Sequence, residues 1–122
     1  MSKRGDKEHI IDILTACENI LSYKEGYDFN MFMGDKKTQD AIIRNIEIIG
    51  EAVKSISETL KEKYSKIGWK EIAKTRDKLI HSYFGIDLDI VWDIINVDIP
   101  RLREQIKEII QKEGWNNDRF KL

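Results

Sequence analysis

Apolar residues recur three and four positions apart along most of this chain, and this helical spacing constrains the fold more than any other feature. In the first stretch the pattern is formed by Ile10, Ile11, Ile13, Leu14, Cys17, Ile20 and Leu21. In a second, longer stretch it is formed by Ala41, Ile42, Ile46, Ile49, Val53, Ile56 and Leu60. A period near 3.6 residues is typical of amphipathic helices, and no segment alternates as a half-buried strand does. The sequence therefore predicts an all-α bundle.

Breaks in the pattern divide the chain into four main helices joined by short connections. These are expected from Asp6, as the N-cap, to about Tyr23, from about Asp35 to Tyr64, from about Trp69 to His81 or Tyr83, and onward from a cap at Asp87 or Asp89. Pro100 disfavours helix at the residue before it, which predicts a last helix that is kinked or broken near Asp98. Residues 26–34 are expected as a loop packed across the bundle or a partner, with ligand contact as the alternative. The whole chain, 1–122, is expected to be one domain with a frayed tail at 114–122.

Net charge, cysteine count and the length of the apolar runs exclude several classes of function. Net charge is −1, which does not favour long-range attraction to nucleic acid, so no DNA binding is expected and RNA would need a local patch or a partner's help. Cys17 is the only cysteine, which leaves no disulfide or zinc cluster and favours a reducing cytoplasm. The apolar runs are too short for a membrane span, and no signal peptide is expected.

Polar residues crowd the end of the third helix, where "RDKLIHSY" places Arg76, Asp77, His81 and Tyr83 within eight positions. At about 100° per residue, Arg76 lies in the middle of the apolar stripe of this helix and Tyr83 falls almost directly below it. His81 lies about 140° away, on the polar side that also carries Asp77. Asp77 and His81 are four positions apart and can therefore touch.

Each of these residues has an ordinary structural explanation when taken alone. An arginine centred on a buried face must find carboxylates, reach water or line a cavity, and Glu47 or Glu51 of the second helix could form a buried ion pair with it. A histidine near a helix end often interacts with the terminal carbonyls. A tyrosine at such a position is often a core residue with its hydroxyl at the rim.

Taken together, the same residues supply the parts of metal-free phosphodiester cleavage. An arginine holds the phosphate, a histidine moves a proton near pH 7, and a nearby carboxylate orients that histidine. One ideal helix does not bring Arg76 and His81 to the same side. Either the helix unwinds at His81, or two copies of the chain face each other and build a shared site, and the apolar excess on this face favours the second arrangement.

The segment "RDKLIHSY" also resembles the R-x4-H-x-Y motif of the HepT-like group of HEPN proteins, the toxin halves of MNT–HEPN toxin–antitoxin pairs. The resemblance continues well beyond the motif. Residues 42–57, "IIRNIEIIGEAVKSIS", are similar to the second helix of the family, and residues 68–106 are similar to its third and fourth helices. It thus covers most of the chain without gaps.

This resemblance implies an up-and-down HEPN bundle of four or five helices that forms a homodimer, with its site in a cleft at the interface. It implies a metal-independent, cofactor-free endoribonuclease that cleaves RNA through its 2′-hydroxyl, with Arg76 and His81 as catalytic residues and Asp77 as a supporting residue. It also implies a toxin whose antitoxin is a small nucleotidyltransferase. Tyr83 matches the tyrosine that such partners adenylylate in some systems.

A different class of function stays open from the sequence. A dimeric helical module could bind a nucleotidyltransferase, or position its substrate, with no chemistry of its own. A plain structural bundle explains Arg76 on the apolar face less well than either of these functions.

Overall fold

The computed structural model describes residues 5–81 and 87–115, with the backbone alone at residues 80 and 81. Within these ranges the chain is almost wholly helical and contains no β-strand, which confirms the all-α prediction. The helices, in chain order, are α1 (Asp6–Lys24), α2 (Phe29–Met33), α3 (Lys36–Ser55), α4 (Glu58–Lys63), α5 (Trp69–His81), α6 (Leu88–Asp93) and α7 (Ile99–Glu113), with a π-helical turn at Ile94–Asp98. Tyr83 and residues 116–122 of the expected tail lie outside the described residues.

The start of α1 differs from the prediction by one residue. Gly5, not Asp6, is the N-cap, and its backbone N–H donates to Oε1 of Glu8. The carboxylate of Asp6 instead accepts hydrogen bonds from the backbone N–H of Ser57, at 2.8 Å, and from its hydroxyl, at 2.6 Å. Asp6 therefore ties the start of α1 to a break much later in the chain.

That break contradicts the prediction of one long helix over residues 35–64. Asp35 does cap the helix, since it accepts from the N–H of Thr38 at 3.1 Å, but α3 ends at Ser55. Ile56 is extended, with ψ 140°, and Ser57 caps α4 by accepting from the N–H of Leu60. The apolar stripe runs unbroken through the turn because Ile56 and Leu60 are both buried, so periodicity alone could not reveal it.

The expected loop at residues 26–34 contains the short helix α2, which Asp28 caps through the N–H of Met31. Phe32 is fully buried and its ring lies 5.3 Å from the ring of Trp92 in α6. The prediction that this segment packs across the bundle is confirmed, although the segment is helical where a loop was expected.

The last helix accommodates Pro100 without a break. Asp87 caps α6, as predicted, and the chain stays helical from there to α7. The N–H of Ile99 donates to the carbonyl of Ile94, five residues back, so a wider turn precedes the proline. Ile99 itself is α-helical, because Pro100 stands in the first turn of α7, where its missing N–H costs little. Gly114, with φ 72°, ends the helix.

The core lies between α1, α3 and α7. Helix α1 contacts both of the others, and α5 packs on the far side of α3. Trp69 and Leu79, near the two ends of α5, are buried. None of the described helices combines the length and the hydropathy that crossing a membrane requires.

Candidate active site

Arg76 of α5 lies directly against α3 at Gly50. A Cβ atom added to Gly50 would stand 2.1 Å from Cβ of Arg76 and 2.4 Å from its Cγ. The aliphatic stem of the arginine therefore occupies the space that any other side chain at position 50 would need. Only 22% of the Arg76 side chain is exposed, which agrees with its predicted place in the apolar stripe.

The guanidinium of Arg76 is paired with two carboxylates. Its Nη2 lies 3.6 Å from Oε1 of Glu51, and its Nη1 donates to Oδ1 of Asp77 at 3.2 Å. The ion pair with Glu51 confirms one of the two partners that the sequence suggested. Glu47, the other candidate, pairs with Arg44.

The third nitrogen of the Arg76 side chain, Nε, has no such partner among the described residues. Nε of Arg76 is buried and makes no hydrogen bond to any part of the chain that the structure describes. A buried donor without an acceptor costs about 1–3 kcal/mol, so this arrangement needs a compensating role. Arg76 thus keeps donor capacity beyond the two ion pairs that hold it.

Asp77 is held on the outer side of α5 by two cations. Lys54 of α3 donates to its Oδ1 at 2.6 Å, and Arg76 contacts the same oxygen. The Lys54 ammonium, and after it the Arg76 guanidinium, holds the pKa of Asp77 below its usual range. Asp77 is therefore a carboxylate at neutral pH. Its predicted contact with His81 involves a side chain outside the described part of the chain and stays a prediction.

Arg44 extends this group of charges along the surface of α3. Its Nη1 lies 3.7 Å from Oε1 of Glu47 and 3.6 Å from Oε1 of Glu51, and 61% of its side chain is exposed. We call Arg44, Glu47, Glu51, Lys54, Arg76 and Asp77 the α3–α5 charge network. Three cations and three carboxylates balance within it.

Sequence reasoning found Arg76 and Asp77 but missed Gly50, Lys54 and Arg44. A glycine inside a long helix costs roughly 0.5–1 kcal/mol relative to alanine, so Gly50 could have signalled a close backbone approach. Lys54 and Arg44 are ordinary helix-surface cations by pattern. Only the packing of α5 on α3 brings them into the network.

Other features of the described residues lie apart from this network. A cavity of about 330 Å³ between α3, α5 and α7 has Ile49, Ile72 and Leu102 in its lining, and Arg76 is not part of that lining. Burial raises the pKa of Cys17 to about 12, which makes its thiol a poor nucleophile. Among the side chains that the structure describes, which do not include that of His81, no group of His, Cys, Asp and Glu is arranged to hold a metal ion.

Gly50→Ala is expected to lower the free energy of unfolding by about 1–3 kcal/mol, since overpacking forces α5 away from α3. Cβ of residue 76 is the nearest atom, so shortening Arg76 to alanine would not relieve the clash. Gly34→Ala is the matched control, because a Cβ there meets its nearest neighbour at an ordinary 3.6 Å. Urea unfolding of both variants tests this, and a Gly50→Ala midpoint equal to that of wild type would contradict the close approach.

Comparison with known proteins gives a consistent result. The family model described as "Ribonuclease HepT-like" matches residues 13–109. A protein named "Putative RNase" from Caldanaerobacter subterraneus subsp. tengcongensis is 46% identical over 88% of this chain and 96% of its own length. "Probable ribonuclease HepT" from Thermococcus cleftensis is 43% identical over 88% of this chain and 97% of its own length. No solved structure shows a significant match.

Proposed function

The chain belongs to the HepT-like ribonuclease family, and on that premise we propose that it is a metal-independent endoribonuclease that acts as the toxin of a toxin–antitoxin pair. One observation carries the assignment of the site. Arg76 is fixed on Gly50 with a donor that no described residue satisfies, five positions before His81, the last residue of α5. Arginine and histidine on one helix are the groups that phosphodiester cleavage without a metal requires.

In the proposed reaction the 2′-hydroxyl of RNA attacks the adjacent phosphorus. His81 removes the proton of that hydroxyl as general base, and His81 of the second subunit, or water, protonates the departing 5′-oxygen. The P–O5′ bond breaks as the new P–O2′ bond forms, which leaves a 2′,3′-cyclic phosphate and a 5′-hydroxyl. Arg76 stabilises the charge that develops on the phosphoryl oxygens.

Asp77 supports this reaction in the proposal. Its lowered pKa keeps it charged near neutral pH, so it can accept a hydrogen bond from an imidazole one turn along the helix. Lys54 and Arg76 hold its Oδ1, which leaves Oδ2 as the acceptor for His81. Asp77 therefore orients the histidine without itself taking a proton.

A homodimer completes the proposed site. The stem of Arg76 packs against Gly50 of α3, and its guanidinium reaches Asp77, whose side chain is 43% exposed, so the charged end of the site lies at the surface of the chain. A second copy across a two-fold axis would bring the histidine of one subunit towards the arginine of the other. We treat residues 1–122 as one such domain and place it in the cytoplasm with its RNA substrate.

The proposed antitoxin is a small nucleotidyltransferase that transfers AMP from ATP to the hydroxyl of Tyr83 and releases pyrophosphate. The added phosphate would bring negative charge close to Arg76 and compete with RNA for it. Incubation with the cognate nucleotidyltransferase and ATP is expected to add the mass of one adenylyl group per modified chain. Tyr83→Phe should remain unmodified, whereas the control Tyr64→Phe should gain the same mass as wild type. Mass gained on Tyr83→Phe would place the modification elsewhere.

A toxic ribonuclease and a non-catalytic module that binds a nucleotidyltransferase differ in their effect on cells. Expression of the wild-type chain without the partner is expected to arrest growth, and expression of His81→Ala at the same level is not. Equal tolerance of both proteins would favour the binding module. Equal toxicity of both proteins would mean that growth arrest does not depend on catalysis by His81.

A further inference from the structure

One carboxylate oxygen in the α3–α5 charge network holds two arginines. Oε1 of Glu51 lies 3.6 Å from Nη1 of Arg44 and 3.6 Å from Nη2 of Arg76. Nη1 of Arg44 and Nη2 of Arg76 are therefore separated by no more than the sum of these two distances. A single anion can touch both of them, and in this structure that anion is the Glu51 side chain.

A phosphodiester group could take the place of the Glu51 carboxylate between the two arginines. Its non-bridging oxygens share one negative charge and accept hydrogen bonds from guanidinium groups in the same planar fashion as a carboxylate does. The contacts of Glu51 with the two arginines, at 3.6 Å, are longer than the 2.7–2.9 Å that is about normal for a charged hydrogen bond. Glu51 thus holds the arginines loosely.

Exposure makes an exchange feasible. The Glu51 side chain is 48% exposed and that of Arg44 is 61% exposed, so both can be reached and Glu51 can swing out into water. An exposed ion pair such as that of Glu51 with Arg44 contributes only about 0–1 kcal/mol, which is little to lose when a phosphate replaces the carboxylate. Glu47 stays beside Arg44 and Lys54 stays beside Asp77 throughout, so the rest of the network need not rearrange.

We propose that Arg44 is a second phosphate-binding arginine of the site, and that Glu51 holds Arg44 and Arg76 together until the RNA backbone displaces it. This inference rests on the proposed function, because it takes RNA as the ligand. In the free protein Glu51 occupies the phosphate position and keeps the positive charges of Arg44 and Arg76 close together. RNA binding then replaces the two ion pairs of Glu51, with Arg44 and with Arg76, by two contacts to the same phosphate.

The two residues are expected to shift RNA affinity in opposite directions. Arg44→Ala should raise the Kd about tenfold, the effect of losing one charge-assisted hydrogen bond, and should reduce the salt dependence of binding by roughly one phosphate contact. Glu51→Gln should lower the Kd severalfold, because the competing carboxylate is gone. A purely structural role for the ion pair predicts weaker binding in both variants, or no change in either.

The probe is a fluorescent single-stranded oligonucleotide of mixed sequence with 2′-O-methyl groups throughout, since it cannot undergo 2′-hydroxyl attack and reports binding alone. Controls for charge are Lys112→Ala and Glu108→Gln, which form an ion pair on α7 with side chains 59% and 60% exposed. Lys112→Ala removes one positive charge, as Arg44→Ala does, and Glu108→Gln removes one negative charge, as Glu51→Gln does. Each control is expected to change the Kd less than twofold. Thermal midpoints of all four variants should stay near that of wild type, as is usual for surface positions.

Unchanged binding by Arg44→Ala, or weaker binding by Glu51→Gln, would overturn this inference while leaving cleavage by Arg76 and His81 intact. A wild-type protein that neither binds the oligonucleotide nor cleaves unmodified RNA would overturn the proposed function, and this inference with it. Cleavage assays on unmodified RNA run beside the binding assay distinguish the two failures.

Discussion

Replacing His81 by alanine is expected to lower the rate constant of RNA cleavage about 10²- to 10⁴-fold, the usual contribution of proton transfer by a positioned side chain. The imidazole is the one group in the motif that exchanges a proton near pH 7. The phosphate-binding arginines remain in the variant, so KM should change much less than kcat. Single-turnover cleavage of a labelled RNA, followed by gel, gives the rate constant directly.

The chain contains its own control for this experiment, because it has two histidines. His9 lies on α1 and is half-buried, and His9→Ala should cleave RNA at the wild-type rate if the protein is folded. His81→Ala that cleaves as fast as wild type would remove the proposed general base. A loss of equal size in both variants would point to a loss of fold instead.

Arg76→Ala is expected to lower kcat about 10²- to 10³-fold, as the removal of one donor to a developing oxyanion does. The variant keeps the Cβ, the atom of residue 76 nearest to the position of a Cβ at residue 50, but loses Cγ and Cδ of the stem together with the guanidinium. Arg76→Lys restores the charge without the planar fork and should recover only part of the rate. Measurement of kcat and KM for both variants tests the expectation.

Arg103 provides the matched control for Arg76. Its side chain is 29% exposed against 22% for Arg76, and it pairs with Glu18 of α1 and with Glu104. Arg103→Lys should leave kcat unchanged, because this ion pair lies between α1 and α7. Full activity in Arg76→Lys would contradict a role for bidentate phosphate contact, and full activity in Arg76→Ala would exclude Arg76 from catalysis.

The fold could be predicted from the sequence wherever local chemistry decides it. Trp69 to His81 is the observed extent of α5, the predicted start of α3 near Asp35 is confirmed, and Asp87 is one of the two caps suggested for α6. The break between α3 and α4 was missed because Asp6, some fifty residues away, holds Ser57 in place through two hydrogen bonds. A contact of that range leaves no periodic signal.

The candidate site was predictable only in part, because some of its contacts join residues on different helices. The helical wheel placed Arg76 on the apolar face, and of the two partners suggested for it, Glu47 and Glu51, the structure pairs it with Glu51. It could not show that Lys54 would reach Asp77, or that Arg44 would share Glu51, since both depend on the register of α5 against α3. Gly50 sets that register by letting Arg76 approach the backbone of α3.

In the proposed function this chain cleaves RNA by 2′-hydroxyl attack with its own arginine and histidine and without a metal ion. The most direct test is incubation of the purified wild-type protein with RNA in excess EDTA, followed by chemical analysis of the new ends. We expect cleavage in EDTA and products that carry 2′,3′-cyclic phosphates and 5′-hydroxyls. Cleavage that stops in EDTA, or products with 5′-phosphates and 3′-hydroxyls, would contradict metal-independent cleavage by 2′-hydroxyl attack.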